Sequence, residues 1–456
     1  MKALNVLLVS YSFPPVGGVG VLRAASLARY FPAENIRLDV LTARNASAVG
    51  ADPTLLNEIP PEVTVHRTVT LDLPFGIKKR IKRLIAGVKP SAGKIAGTGT
   101  GKASFLKRVV QDVLLPDPQV TWLPVLYRAS RRIVKERNIE LVLITVPPFS
   151  STLLVKKLRK EFPHLAIVVD FRDEWLSTTI DLVGYSSTTR ARTVAREAEA
   201  AAVHHATAVI AVTEAARRQI RSRYPQQPDG KFRLIPNGFD ATRLRRAAQA
   251  AEPRGDGRIL VSHIGTVYGS TEPTSLVEAL ESLPPEIKSR FKLRFIGHVE
   301  EPRFREALLG LGEMVELLGF VPQHEALAAM NETDYVLLIS HDPLNVGAKF
   351  YDYVGGGKPI LGTVHTEGEI RRLMEAWRVG WWAGSRDIEG IRQLFIDAAS
   401  RGNGLPASFQ PDLAKIAQYE RKPLAKRYAQ LLHSIHEEAD DSTAEARAPQ
   451  PAGKIG

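Results

Sequence analysis

The chain reads as an α/β protein built of two similar halves, and three observations carry that reading. Short, continuously apolar runs alternate with helical periodicities along almost the whole length, as buried parallel strands and their crossover helices require. The first run, Leu4 to Ser10, begins almost at the N-terminus and opens into a Gly/Pro-rich turn. The rhythm stops at a polar, Pro/Gly-containing stretch, residues 241–257, and starts again at Ile259. A length of 456 residues is in any case too great for one core.

Composition removes several classes of function. There are no cysteines, which excludes disulfides, thiolate metal sites and cysteine nucleophiles. No apolar run approaches the ~18 residues of a membrane-spanning helix. The opening "LNVLLVS" is too short for a signal peptide and runs straight into Pro14-Pro15, so the expected location is the cytoplasm. The net charge of +12 is large, and its distribution matters more than its size.

In the first half, the strand at Leu4 is followed by "YSFPPVGGVGVLRAASLARYF", a turn and then a helix with apolar positions Leu22, Ala25, Leu27 and Ala28. Gly17, Gly18 and Gly20 allow close backbone approach at the mouth of that helix. The pattern nearly matches a dinucleotide-binding fingerprint, with Arg23 where the third glycine would stand. Its place after the first strand marks a Rossmann-like half. Arg23 either faces an anion or caps solvent.

Leu38 to Thr42 and Val63 to Val69 read as further strands. Residues 71–110 then carry ten Lys/Arg against one acid, Asp72, interleaved with Ile77, Ile81, Leu84 and Ile85. A basic amphipathic insertion of this kind fits an anionic membrane surface, with a solvated mobile loop as the plainer alternative. Phe75 and Phe105 are its only aromatic residues, too few to stack nucleic-acid bases along a strand, so no nucleic-acid partner is expected. "AGTGTGKA" (96–103) imitates a phosphate loop but lacks its first glycine and its final Ser/Thr.

Strands are expected at Ile139 to Thr145, Ala166 to Asp170, Ala208 to Val212 and Phe232 to Pro236, with helices at Leu153 to Phe162 and Thr189 to Ala206. The strand at Ala166 ends in "DFRDEW", which sets Arg172, Asp173 and Trp175 beyond a strand's carboxyl end, where such sheets bind ligands. An internal Arg172–Asp173 ion pair locking the loop is the competing reading. His204-His205 has no carboxylate or cysteine partners in sequence and reads as structural.

The second half places strands at Ile259 to Gly265, Lys292 to Gly297, Val315 to Gly319, Tyr335 to Ile339, Ile360 to Gly362 and Gly380 to Ala383. Its most informative stretch is "NVGAKFYDYVGGGKPILGT", Asn345 to Thr363. A helix starting at Gly347 aims free N–H groups and a positive dipole end at whatever lies before it, which suits a phosphate or diphosphate. Lys349 in the first turn adds a mobile cation, and Asp352 lies three residues on, on roughly the same face. An ordinary amphipathic helix with a glycine C-cap would look alike. A closing helical run, Leu413 to Glu437, and a disordered tail, 438–456, end the chain.

Taken together, "YSFPPVGGVGVLRAASLARY", "LLPDPQVTWLP", "TVPPFSSTLL", "DFRDEW", "IPNGFD", "HIGTVYG" and "AKFYDYVGGGKPILG" resemble, in order and spacing, a glycosyltransferase of family 4. The resemblance is to the bacterial branch that assembles exopolysaccharide, capsule or O-antigen. It implies the GT-B fold, two Rossmann-like domains facing across a cleft: 1–240 for the acceptor, a linker 241–257, 258–410 for the nucleotide-sugar, and a closing helix 411–437. It implies a retaining transfer from a nucleotide-sugar to a glycan or polyprenyl-linked acceptor, with no metal and no other cofactor.

By the same resemblance, Gly17, Gly18 and Arg23 approach the donor diphosphate or acceptor, and Gly265 and Thr266 open the nucleotide-sugar pocket. Lys349 and the Gly347 N–H region meet the diphosphate, and Asp352 binds the ribose. Lys349 and Arg23 would serve catalysis; Arg172, Asp173 and Trp175, from their place beyond the strand end, are expected at the acceptor or cleft.

The chain departs from that pattern in places. The first acid of the family's acid pair falls on Leu344, with Asp342 nearby but out of register, and the second is Asp352, not Glu. Ser270-Thr271 stands where a basic residue commonly follows the "GTVYG" turn. Two other classes therefore stay open, a non-catalytic nucleotide-sugar-binding partner of a glycan assembly complex and a nucleotide-sugar epimerase. A dinucleotide-dependent dehydrogenase ranks below both, because the glycine fingerprint is broken.

Overall fold

The structure is a computed structural model, and it describes residues 3–46, 51–70, 114–179, 189–249 and 257–447. The basic insertion 71–110 and the phosphate-loop imitation lie outside these residues. The chain divides into two compact units, one formed by Met1–Ala211, Gln219–Ile235 and Ala425–Gly456, the other by Val212–Arg218 and Pro236–Leu424.

The first unit is built on a parallel sheet with β1 (Leu4–Val9), β2 (Ile36–Ala43), β3 (Thr64–Thr68), β4 (Leu141–Val146), β5 (Ala166–Phe171), β6 (Ala208–Ala211) and β7 (Phe232–Leu234). Among the described residues their order is β3-β2-β1-β4-β5-β6-β7. β1, β4 and β5 are buried along their whole length, because helices cover both faces and leave no polar side for alternation. One face packs Val6, Leu8, Leu38, Val40, Leu143 and Val168 against the helix Val19–Tyr30.

The same core takes in Ala425, Tyr428, Ala429, Leu432 and Ile435, a stripe at helical spacing on the helix Arg421–Arg447. Burying a side chain such as Leu432 contributes roughly 1.5–3 kcal/mol. That helix continues through residues 438–447, where the composition suggested disorder.

The second unit repeats the plan with β8 (Ile259–Ile264), β9 (Phe291–Ile296), β10 (Val315–Gly319), β11 (Tyr335–Ser340), β12 (Ile360–Val364) and β13 (Gly380–Gly384), in the order β10-β9-β8-β11-β12-β13. The polar stretch expected as a linker begins instead with a helix, Ala241–Ala248. Asp240 caps it by accepting from the N–H groups of Thr242 and Arg243 at 3.0 and 3.1 Å. Leu244 and Ala247 are its buried positions, too few to give an obvious apolar period in the sequence. Gly355 lets it approach, since a Cβ there would stand 2.3 Å from the Phe239 ring.

In each sheet the strand order reverses direction between two central neighbours, β1/β4 and β8/β11, and ligands of such sheets bind beyond the carboxyl ends at that switch. The two switches are built differently. β1 and β4 pair over Val6↔Leu141 to Val9↔Ile144. β8 and β11 pair only at Tyr335↔Val261 and Val336↔Ser262, so the strands part before their carboxyl ends.

Candidate anion site at the β8/β11 switch

Backbone groups exposed where β8 and β11 part are met by side chains. Tyr353, buried on the helix Ala348–Gly355, accepts a hydrogen bond from the Ile264 N–H at 2.8 Å. His263, fully buried, sets its Nδ1 3.1 Å from the Leu337 carbonyl oxygen. A carbonyl only accepts, so Nδ1 carries the proton and Nε2 the lone pair. Burial, with the nearby Lys349 charge, holds this imidazole well below its usual pKa, so it is neutral.

Lys349 lies one helical turn before Tyr353, on the same helix face. Its Nζ is 3.4 Å from His263 Nε2, and a Cβ on Gly265 would stand 3.7 Å from that Nζ. Among the described residues the ammonium has no carboxylate partner. Part of the side chain remains accessible, but protein crowds the rest, and this desolvation lowers its pKa to about 8.

The helix behind it has Gly347 as an exposed N-cap and no acidic side chain in its first turn. An uncompensated positive dipole end and an unpaired ammonium thus coincide. Gly265 adopts φ +132°, and a Cβ on Gly297 would stand 2.4 Å from the Gly265 carbonyl oxygen. Both positions therefore require glycine. Thr266 follows in the same turn, its carbonyl accepting from Thr271 Oγ1 at 3.3 Å.

Asp352 is half-buried, and its carboxylate makes no hydrogen bond among the described residues. Burial raises its pKa to about 6, Asp240 adding to the shift while Arg421 and Arg243 oppose it. Asp342 is fully engaged in its own loop. Its Oδ1 accepts from the N–H groups of Leu344 and Asn345 at 2.8 and 3.0 Å, and its Oδ2 from Asn345 Nδ2 at 2.8 Å. It shapes the approach to the helix.

Sequence reasoning missed two features here. His263 sat inside a quoted motif, but its role depends on the strands parting. His298 and Phe320 stack with ring centroids 5.7 Å apart and planes at 14°, just beyond the ends of β9 and β10. Phe320 is 55% exposed, an aromatic face open to solvent. The Val267 N–H donates to the His298 carbonyl at 2.8 Å, tying this pair to the Gly265 turn.

In the first unit the expected site residues turn inward. Arg23 donates from Nε and Nη2 to the two carboxylate oxygens of Asp170, both at 2.9 Å, and from Nη2 to the Ile235 carbonyl at 3.0 Å. Its side chain is 11% exposed and that of Asp170 0%, with the Tyr428 ring 5.3 Å away. Arg23, expected at the donor diphosphate or acceptor, is held here by Asp170. Its charge is already met by a buried carboxylate, which outweighs the effect of burial on its pKa.

Arg172 is likewise structural. Its guanidinium donates to the carbonyls of Val146 (3.2 Å), Pro147 (2.5 Å) and Gly20, bracing the β4 loop against the glycine loop. Trp175 is buried and stacks on Phe149 at 4.4 Å, with planes 4° apart, so it presents no open face to an acceptor. Asp173 is half-buried, and its charge favours the cationic form of Arg172 against desolvation. Glu174, unremarked in the sequence, is buried and pairs with Arg223 at 2.6 Å.

Gly17 and Gly18 do line the turn before the helix Val19–Tyr30. Gly18 takes φ +100° with open space around it, while a Cβ on Gly17 would meet the Asp52 nitrogen at 3.3 Å. No group of three or more His, Cys, Asp or Glu suited to a metal ion occurs among the described residues.

The fold is that of an α/β protein of the GT-B type. Residues 94–243 match the family model for Glycosyltransferase Family 4. WcaL of Salmonella typhimurium, assigned as a colanic acid biosynthesis glycosyltransferase, is 24% identical over 221 residues. That match covers 46% of this chain and 52% of WcaL, so the chain spans about half the length of this relative.

The crystal structure of HepE from Anabaena in complex with UDP has a TM-score of 0.55 at 15% identity, covering 98% of this chain and 100% of HepE. A Listeria monocytogenes protein described as a UDP-N-acetylglucosamine 2-epimerase has a TM-score of 0.52 at 13% identity, covering 96% of this chain and 98% of that one. The resemblance read from the motifs is borne out in family match and in fold.

Proposed function

We propose that the chain is a retaining glycosyltransferase that moves a sugar from a nucleotide-sugar to a glycan or polyprenyl-linked acceptor in cell-surface polysaccharide biosynthesis. Lys349 carries this reading: a half-buried cation with no carboxylate partner among the described residues, beside Gly265 at an uncompensated helix N-terminus. A diphosphate supplies the missing charge. The exposed His298–Phe320 face offers a platform for a nucleobase, an interaction worth ~1–3 kcal/mol in comparable stacks. Asp352 has free acceptor capacity for ribose hydroxyls.

In the transfer, the bond from the sugar's anomeric carbon to the diphosphate breaks and a bond to the acceptor oxygen forms on the same face. The acceptor's proton passes to a phosphate oxygen of the leaving group. Negative charge grows on the departing diphosphate, where Lys349 and the N–H groups after Gly347 stabilise it. No step asks for a metal or another cofactor. The proposal places the protein in the cytoplasm, at the inner face of the plasma membrane, with the basic insertion 71–110 as its contact with anionic lipid.

WcaL's assignment supports the polysaccharide setting, and the UDP in HepE makes uridine donors the first to try. The test is a thermal-shift screen with UDP-, GDP-, ADP- and TDP-sugars, with nucleotide release followed beside a lipid-linked acceptor extract. Stabilisation by one donor with acceptor-dependent release is expected. The full engagement of Asp342 by its own loop favours, as a second reading, a partner that binds nucleotide-sugar without transfer, which would give stabilisation and no release. Epimers of the donor formed without acceptor would identify an epimerase, whose fold this chain shares. No shift with any nucleotide overturns the anion-site reading.

A further inference from the structure

We infer that His263 is the positioning residue for Lys349. It is a neutral imidazole that donates Nδ1–H to the Leu337 carbonyl and accepts an ammonium N–H at Nε2, holding the cation beside Gly265. Four observations meet in this assignment. β8 and β11 stop pairing at Ser262, and the Leu337 carbonyl is met by side chains in place of a ladder bond, His263 Nδ1 at 3.1 Å and the Tyr353 hydroxyl at 3.4 Å. The ring has no exposed surface and lies 5.5 Å from the Phe295 ring, so it cannot turn toward solvent to serve a ligand itself. Its remaining nitrogen lies 3.4 Å from Lys349 Nζ.

The fourth observation concerns the helix. Tyr353 bolts the helix that carries Lys349 to Ile264, the residue next to His263. Backbone and side chain are therefore both fixed with respect to β8. Leu or Val at position 263 would fill the space but leave the Leu337 carbonyl and the ammonium without this partner. A protonated imidazole would repel the ammonium, and burial forbids that form.

The consequence for a ligand rests on the diphosphate reading above, whereas the His263–Lys349 contact does not, and the experiment separates the two. Nitrogen-15 correlation spectra of the full chain give the tautomer directly. A proton on Nδ1 and a free Nε2 at pH 7 are expected, and a proton on Nε2 overturns the proposal without any variant.

The midpoint pH of Lys349 acetylation, read by peptide mass spectrometry, is then compared among wild type, His263→Gln and His263→Leu. Thermal melting serves as the control for folding. Wild type should titrate near 8. His263→Leu should move the midpoint by about one unit, a tenfold change in acid dissociation constant. The shift is downward if Lys349 stays in place without its acceptor and upward if the ammonium swings into water. His263→Gln, which can offer an amide oxygen at the Nε2 position, should recover most of it. Identical midpoints in folded His263→Leu and wild type overturn the assignment.

Inorganic pyrophosphate serves as a base-independent ligand probe. Protection of Lys349 by pyrophosphate in wild type, reduced about tenfold in affinity in His263→Leu, links the positioning to anion binding. Absence of protection in wild type would count against the diphosphate reading and leave the tautomer and midpoint results standing.

Discussion

The two switch points share a topology and differ in how their cations are used. At β1/β4 the glycine loop is surrounded by guanidinium groups whose bonding capacity is taken up by the protein. Arg23 is held by both oxygens of Asp170, and Arg172 by the carbonyls of Val146, Pro147 and Gly20. At β8/β11 the strands part early, and the Lys349 ammonium beside the Gly265 turn meets, among the described residues, a neutral imidazole nitrogen and no carboxylate. Glycines at a strand-to-helix turn are thus poor guides to a ligand. The informative quantity is whether the nearby charge is already satisfied.

That difference sets the largest expected effect. Asp170→Ala leaves the buried Arg23 guanidinium without its counter-charge and should cost about 3–5 kcal/mol, read as a lower urea midpoint. Lys349→Met strands no partner charge and removes a desolvated one, so it should not lower stability. Comparable losses in the two variants would remove the distinction between the sites. In the transfer assay the ranking reverses. Lys349→Ala should lower donor-dependent turnover ~100- to 1000-fold, the usual scale for losing one preorganised group at a developing negative charge. Turnover equal to wild type with normal melting would sink its role.

The pH dependence sharpens the comparison, because ligand affinity and stability respond to Lys349 in opposite directions. Its charged form fades as pH rises through about 8, so diphosphate affinity should fall there. Its pKa in the unfolded chain is near 10.5, so between about 8 and 10.5 the unfolded state binds more protons and the fold gains stability with rising pH. Asp352, at about 6, should weaken donor binding as pH falls through that value. Donor affinity titrated by calorimetry should therefore peak between about 6 and 8. Affinity that keeps rising above pH 8 contradicts a contact with charged Lys349.

The glycines give a smaller contrast. Gly297→Ala places a Cβ 2.4 Å from the Gly265 carbonyl at a φ of +140° and should cost about 1–3 kcal/mol, with loss of nucleotide binding. Gly18→Ala meets only the strain of φ +100° in open space and should cost about 1 kcal/mol. Equal losses of binding in both variants would mean that the two turns are equivalent after all.

Strands were legible because burial on both faces writes them as apolar runs, and the Lys349 helix was legible from Gly347 and the three glycines that end it. The helix Ala241–Ala248 was hidden because only Leu244 and Ala247 are fully buried along it. The engagement of Arg23 was hidden for a related reason. Its partner Asp170 lies 147 residues away in sequence, and pairing across a sheet leaves no local mark. His263 was invisible for the same cause, since its meaning depends on a parting of strands that periodicity does not encode. Local pattern locates the ends of elements, while the state of a charge is decided by distant residues.

The smallest expected effect concerns Asp342, and it decides how the missing first acid at Leu344 should be read. If Asp342 only shapes the loop, Asp342→Asn keeps the Oδ1 acceptor for Leu344 and Asn345 and loses one side-chain contact with Asn345 Nδ2. That should cost less than ~1 kcal/mol and leave turnover unchanged, since no donor hydroxyl depends on the charge. Asp342→Ala also removes the backbone acceptor and should cost about 1 kcal/mol more, with a raised KM as the helix entrance loosens. A hundredfold fall in kcat for Asp342→Asn at an unchanged melting temperature would show the opposite. The carboxylate would then reach the donor sugar when bound, and the chain would have moved its first acid by two residues without losing it.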